Sequence, residues 1–159
     1  MMIKMLIMDV DGTLTDGKIY ISSQGEIMKA FNVKDGLGIN KLHANGIIPV
    51  IITGRKSEIV IERARELNIK EVVQGVDDKV EVLRLVAEKY KCDLNDIAYI
   101  GDDENDLECM KLCGIRACPV DAHESVATIA DFICKKEGGC GAVREFIEYI
   151  LSDLRGDKL

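Results

Sequence analysis

Met5-Leu6-Ile7-Met8-Asp9-Val10-Asp11-Gly12-Thr13 runs from four apolar residues straight into two carboxylates and a glycine turn. An apolar run of strand length that breaks off in charge reads as a strand buried on both faces, with its carboxyl end reaching solvent. In open α/β sheets ligands bind outside that end of the strands. Side-chain alternation puts Asp9 and Asp11 on one side of the chain, where like charges are costly unless a cation joins them. Mg2+ is the expected cation, because it takes a few carboxylate oxygens together with water and phosphate. A solvated acidic turn capping a strand is the plain alternative.

Outward from this stretch, apolar runs of strand length recur at Ile3–Met8, Ile47–Ile52, Glu71–Val73, Ile97–Ile100, Ile115–Ala117 and Asp131–Ile133. Between them, Leu37–Ala44, Glu58–Leu67, Lys79–Tyr90 and Asp106–Cys113 carry apolar residues at three- and four-residue spacing. The alternation predicts an α/β fold, a Rossmann-like parallel sheet with helices on both faces, in one domain over 1–159. Gly46 and Gly114 fall where helix C-caps belong. Two segments depart from the rhythm. Lys18–Ile21 and Ile27–Phe31, around Ser22-Ser23-Gln24-Gly25-Glu26, read as a β-hairpin inserted after the first strand. Gly138-Gly139-Cys140-Gly141 introduces an amphipathic helix over Gly141–Leu154, followed by a polar RGDKL tail expected to be mobile.

The 159 residues are 47% hydrophobic and 31% charged, which excludes disorder and is enough for a core that needs no disulfide or structural metal. With 21 basic and 28 acidic residues the net charge is -7, which disfavours nucleic acid and acidic lipid as partners. The start, MMIKMLIMDV, fails as a signal peptide and is too short to span a bilayer, so a cytoplasmic protein without membrane contact is expected. Cys92, Cys109, Cys113, Cys118, Cys134 and Cys140 form no C-x-x-C pair and read as reduced thiols of the core and helix faces.

Three further groups follow later strands. Thr53-Gly54-Arg55 offers a hydroxyl, a close backbone approach and a cation, suited to a phosphoryl cradle, or else a helix N-cap with a surface arginine. Lys79, opening the helix after Val76-Asp77-Asp78, could reach a phosphate, although an isolated helical lysine usually faces solvent. Gly101-Asp102-Asp103-Glu104-Asn105-Asp106 leaves an apolar strand so densely charged that a divalent ion is the simplest compensation. Asp35 reads equally as a substrate contact and as an N-cap. His43, on a helix, and His123, near the helix start at Glu124, read as structural.

Together the four groups, in this order over Asp9 to Asp106, resemble the haloacid dehalogenase superfamily of phosphohydrolases. DVDGTLTDG, the hairpin, Phe31–Gly38, TGR, GDDEND and GGCGAVRE are similar over nearly the whole chain to its 3-deoxy-D-manno-octulosonate 8-phosphate phosphatase family. The resemblance implies Asp9 as nucleophile, Asp11 as acid–base group and Lys79 as charge stabiliser. Thr53, Gly54, Arg55 and Asp35 would contact substrate. Mg2+ would be held by Asp9, the Asp11 backbone carbonyl and Asp102, with Asp103 and Asp106 in or near the second layer. It further implies a phosphorylated sugar acid as substrate, in lipopolysaccharide biosynthesis. A nonulosonate 9-phosphate phosphatase, a phosphomutase or phosphotransferase, and a non-catalytic assembly module are the alternatives; the intact acidic and basic set disfavours the module. Residues 12–34 and 56–78 leave no room for a cap domain, so something else must close the site; the resemblance implies closure by a neighbouring subunit, with the hairpins of four chains assembled into a barrel in a homotetramer.

Overall fold

The computed structural model describes residues 2–155, with side chains described as far as 153, so the RGDKL tail beyond its first residue lies outside the described residues. The elements are β1 (Met5–Met8), β2 (Tyr20–Ser22), β3 (Gly25–Met28), α1 (Val33–Ala44), β4 (Ile48–Thr53), α2 (Glu58–Glu66), β5 (Glu71–Gln74) and α3 (Lys79–Lys89). Then come β6 (Ile97–Ile100), α4 (Leu107–Leu112), β7 (Ile115–Cys118), α5 (Glu124–Ile129), β8 (Phe132–Ile133) and α6 (Ala142–Arg155).

The larger sheet has the order β5-β4-β1-β6-β7-β8 and all its pairings are parallel. The order reverses at β1, so the crevice beside it is the switch point where doubly wound sheets bind ligands. Alternation divides each central strand between two cores. Leu6, Met8, Ile51, Ala98 and Ile100 pack towards α1, α2 and α6, while Met5, Ile7, Val50, Ile52, Ile97 and Tyr99 pack towards α3, α4 and α5. This explains the unbroken apolar runs: strands covered on both faces have no polar side. Register then sets the level of the site. Met8 lies opposite Ile51 and Ile100, so Asp9, Thr53 and Asp102 all follow within two residues of one line across the sheet.

Helix starts are fixed by short polar side chains. Asn32 caps α1, accepting from the Lys34 N–H at 2.9 Å, so the helix begins four residues before the apolar spacing shows it and Asp35 is not its cap. Asp78 caps α3, accepting from Val80 and Glu81 at 2.9 and 3.1 Å, and so places Lys79 as the first helical residue. Gly46 follows the α1 cap with φ +72, as its position suggests. Gly114 serves a different need: a Cβ there would lie 1.9 Å from the Asn95 carbonyl oxygen. The hairpin turns more tightly than its sequence suggests, with Ser22 paired to Gly25.

The glycine-rich segment before α6 is a buttress. A Cβ on Gly138 would lie 1.9 Å from the Gly12 carbonyl oxygen, and the Gly139 N–H donates to the Thr13 carbonyl at 3.1 Å. The turn after β1 therefore rests directly on backbone that no side chain may enter. Gly138→Ala should cost about 1–3 kcal/mol through overpacking. At roughly 2–4 °C per kcal/mol for a chain of this size, thermal melting would register the loss, and an unchanged Tm would show that the buttress yields freely.

Candidate active site

Asp9 ends β1 and its backbone N–H donates to the Ile100 carbonyl at 3.1 Å, which ties the turn to β6. Its Oδ1 receives the Lys79 ammonium at 2.8 Å, and the same nitrogen donates to Asp106 Oδ1 at 2.8 Å. Lys79 is thus no solvent lysine: α3 delivers it, buried, between two carboxylates. Burial works against its charge, but Asp9 and Asp106 outweigh that cost and hold its pKa above the ordinary lysine range.

Asp106 is wholly buried and fully occupied. Its Oδ1 also accepts from the Tyr99 hydroxyl at 2.7 Å, and its Oδ2 accepts from the backbone N–H groups of Asp102 and Asp103 at 3.2 and 3.4 Å. It holds Lys79 and shapes the acidic turn. Asp103 caps the short turn Glu104–Asp106. Asp102 is fixed through its backbone carbonyl, which accepts from the His123 N–H at 2.8 Å, and through Oδ1, which accepts from the Thr13 hydroxyl at 2.8 Å. Gly12, at φ +97, lets the chain pass: a Cβ there would lie 2.0 Å from Asp102 Oδ2.

Oxygens of Asp9, Asp102 and Asp106 lie within 4.8 Å of one another. Burial, and then the charge of Asp106, push Asp9 up to about 6 despite Lys79. Burial and the neighbouring Asp9 push Asp102 up to about 8. One lysine does not offset this much buried negative charge, and a second cation fits the donor set. Because Asp106 is occupied, Asp9 and Asp102 are the carboxylates free to take it.

Asp9, Asp11, Thr53, Gly54, Arg55, Asp103 and Asn105 line an open cleft of about 200 Å³. Arg55 stands at its mouth, its side chain 46% exposed and its Nε 3.9 Å from Asp11 Oδ2. Asp35 is not among the lining residues. Its carboxylate is buried, with Oδ1 accepting from the Arg144 N–H in the first turn of α6 at 2.8 Å, and burial pushes it up to about 6. In the single chain the Asp35 carboxylate thus links α1 to α6. His43 accordingly makes a structural contact, its Nε2 3.0 Å from the Leu67 carbonyl oxygen, and all six cysteines are free.

Sequence reasoning missed Lys29, just past β3. Its buried ammonium pairs with Asp11, and with Glu26 at 3.0 Å; Glu26 in turn accepts from the hydroxyl of Ser57, the N-cap residue of α2. The hairpin of this same chain is thereby seated beside its own cleft, so contact with the site does not require a neighbour. Tyr99 carried a legible signal, a lone hydroxyl in the aliphatic strand Ile97–Ile100, since a buried hydroxyl needs a partner. Lys29 carried none.

Comparison with known proteins agrees with this geometry. Residues 69–147 match the model of the haloacid dehalogenase-like hydrolase family. A 3-deoxy-D-manno-octulosonate 8-phosphate phosphatase from Yersinia pestis is 41% identical over 99% of this chain and 83% of its own length. The crystal structure of such a phosphatase from Moraxella catarrhalis, in complex with magnesium ion, phosphate ion and a KDO molecule, superimposes with a TM-score of 0.93 at 44% identity, over 98% of this chain and 89% of that one. The cobalt-bound form of the Haemophilus influenzae phosphatase gives 0.94 at 35% identity, over 98% and 91%. On the sheet order, the acidic cluster around Lys79 and likeness along nearly its whole length, the chain belongs to the 3-deoxy-D-manno-octulosonate 8-phosphate phosphatase family of haloacid dehalogenase-like hydrolases.

Proposed function

We propose that this chain is a Mg2+-dependent phosphatase that removes the terminal phosphate of 3-deoxy-D-manno-octulosonate 8-phosphate. The observation that carries the reading is Lys79 held between Asp9 and Asp106, with Asp9 lining an open cleft together with Thr53, Gly54 and Arg55. Bound Mg2+, held by Asp9, Asp102 and the Asp11 backbone carbonyl, would offset the charge of the phosphoryl oxygens.

The Asp9 carboxylate attacks phosphorus in line and the bond to the sugar oxygen breaks, leaving the phosphoryl group on Asp9. Asp11 gives its proton to the departing oxygen, so the sugar leaves as an alcohol rather than an alkoxide. It then takes a proton from the water that cleaves the aspartyl-phosphate, releasing phosphate and restoring Asp9. Lys79 and Thr53 donate to the phosphoryl oxygens as charge builds on them. Arg55 has the reach and the planar fork to bind a carboxylate at the far end of a sugar acid, which a neutral hexose phosphate lacks.

A homotetramer with a cytoplasmic location completes the reading. The hairpin exposes Ile21 at 65% and Ile27 at 58%, with Ile19 and Met28 beside them, an apolar surface larger than a two-stranded element needs for itself. Among the described residues no helix is long and apolar enough to cross a membrane. Light scattering should give four times the 17.6 kDa chain mass; a fully active monomer would remove the assembly from the reading.

Asp9→Asn should lower kcat by about a thousandfold or more while the fold survives, since the attacking group is lost. Compared by kcat/KM, the octulosonate 8-phosphate should lead a nonulosonate 9-phosphate, and glucose 6-phosphate should trail by well over about tenfold, with the gap narrowing in Arg55→Ala. A leading nine-carbon acid would reassign the substrate, and an equal hexose would remove the sugar-acid reading altogether.

Metal binding has a readout apart from turnover. The folded-state values of about 6 for Asp9 and about 8 for Asp102 lie above the ordinary aspartate value of 3.8. The stability tied to these two groups is therefore fully present below 3.8 and lost as pH rises from there through 6 for Asp9 and through 8 for Asp102. Without Mg2+ the Tm should fall over that window. With Mg2+ present the fall should disappear, so the gain from Mg2+ widens with pH; a gain that is the same at pH 6 and pH 8.5 would contradict the assignment of these carboxylates to the ion.

A further inference from the structure

The two carboxylates of the first motif point to different cations. Asp9 turns inward onto Lys79, whereas Asp11 turns outward, with Oδ1 on Lys29 and Oδ2 3.9 Å from Arg55. Asp11 is also absent from the group of carboxylates that converge within 4.8 Å. Something has to keep it out. A divalent ion at Asp9 and Asp102 would be the strongest charge nearby and would draw in any carboxylate free to rotate.

We propose that Lys29 is a positioning residue that holds the Asp11 carboxylate on the leaving-group side of the cleft, and that the hairpin thereby sets the geometry of the acid–base step. The inference rests on the reading of Asp11 as acid–base group. Arg55 cannot serve in its place: its side chain is half exposed, and at 3.9 Å it makes a loose, water-screened pair. The Lys29 side chain is 2% exposed, and its ammonium is shared between Asp11 and Glu26. A buried pair in low dielectric holds its geometry far more firmly. Lys29 itself is anchored. Glu26 lies three residues before it and is fixed by Ser57, two residues beyond Arg55. The contacts Asp11–Lys29–Glu26–Ser57 thus join the turn after β1 to the start of α2 through the hairpin.

A latch that only stabilised the hairpin would affect every substrate alike. Positioning of Asp11 predicts otherwise, because only a poor leaving group needs the proton. The experiment compares kcat/KM for the octulosonate 8-phosphate and for 4-nitrophenyl phosphate, with Mg2+, in parent, Lys29→Met and Lys29→Arg. This parameter covers steps up to transfer of the phosphoryl group onto Asp9, so the later use of Asp11 as base does not enter it. Lys29→Met should lose about tenfold or more on the sugar phosphate, part of the hundredfold or greater worth of a general acid, and less than about threefold on the aryl phosphate. Lys29→Arg should recover most of the sugar-phosphate rate. Equal losses on both substrates, or no loss on either, would overturn the proposal. If Lys29→Met does not fold, Lys29→Ala, which likewise removes the donor to Asp11, is judged by the same ratio. A parent that ignores the octulosonate would count against the proposed substrate alone; the Lys29 ratio would then be taken on whichever alkyl phosphate it hydrolyses, since the inference needs only an alkoxide leaving group.

Discussion

The ammonium of Lys79, shut in between Asp9 and Asp106, is the contact on which the remaining geometry depends. A buried lysine keeps its charge only if opposite charges surround it, and removing one partner of such a pair leaves an uncompensated charge at a cost of about 3–5 kcal/mol. Each neighbour is therefore constrained in turn. Asp106 must present the right oxygen, and Tyr99 with two backbone N–H groups holds it there. Gly101 leaves room for it, since a Cβ would lie 2.5 Å from Asp106 Cγ. The core side of the site is a closed set of hydrogen bonds, and its open side is where Asp9 and Asp102 remain short of positive charge.

Such a set needs a frame that cannot drift, and the parallel sheet supplies it. β1 and β6 end at one level and β4 runs two residues further, and both faces of the sheet are packed, so neither Asp9, Thr53 nor Asp102 can shift without disturbing a core strand. The last third of the chain adds support from behind. Asp35 receives the first turn of α6, Asn32 donates to the Gly139 carbonyl at 3.2 Å, and Gly138 and Gly139 lie against Gly12 to Thr15. Asp35 and the glycine segment, which do not line the cleft, support the turn after Asp9 from behind.

What could be read from sequence was what local pattern encodes. The two-faced strands, the charged turns at their ends and the hairpin all follow from residues within a few positions of one another. Contacts across long separations were not legible in that way. Asp35 was split between substrate contact and N-cap; the cap is Asn32, three residues before it, and the partner of the Asp35 carboxylate lies 109 residues on. Gly114 sits where a C-cap belongs but answers to the carbonyl of Asn95, on a different segment. Lys29 lies just past a short strand pair whose side chains are mostly exposed, and nothing in its sequence neighbourhood distinguishes it from a solvent lysine.

That lysine also bears on how the hairpin persists at all. Two strands of three and four residues are not stable in isolation, so this hairpin must be held by something besides its own ladder. On its inner side the hold is polar: Lys29 and Glu26 are bound to Asp11 and Ser57. Ile21 and Ile27 of the same hairpin are exposed in the single chain, and burying such surface gains about 25 cal/mol per Å². A partner covering them would reinforce the same hairpin that carries Lys29. In the proposed assembly one small element would then serve both the association of chains and the grip on Asp11, and a change that loosened the contact between chains would be felt at that carboxylate without any residue of the cleft being altered.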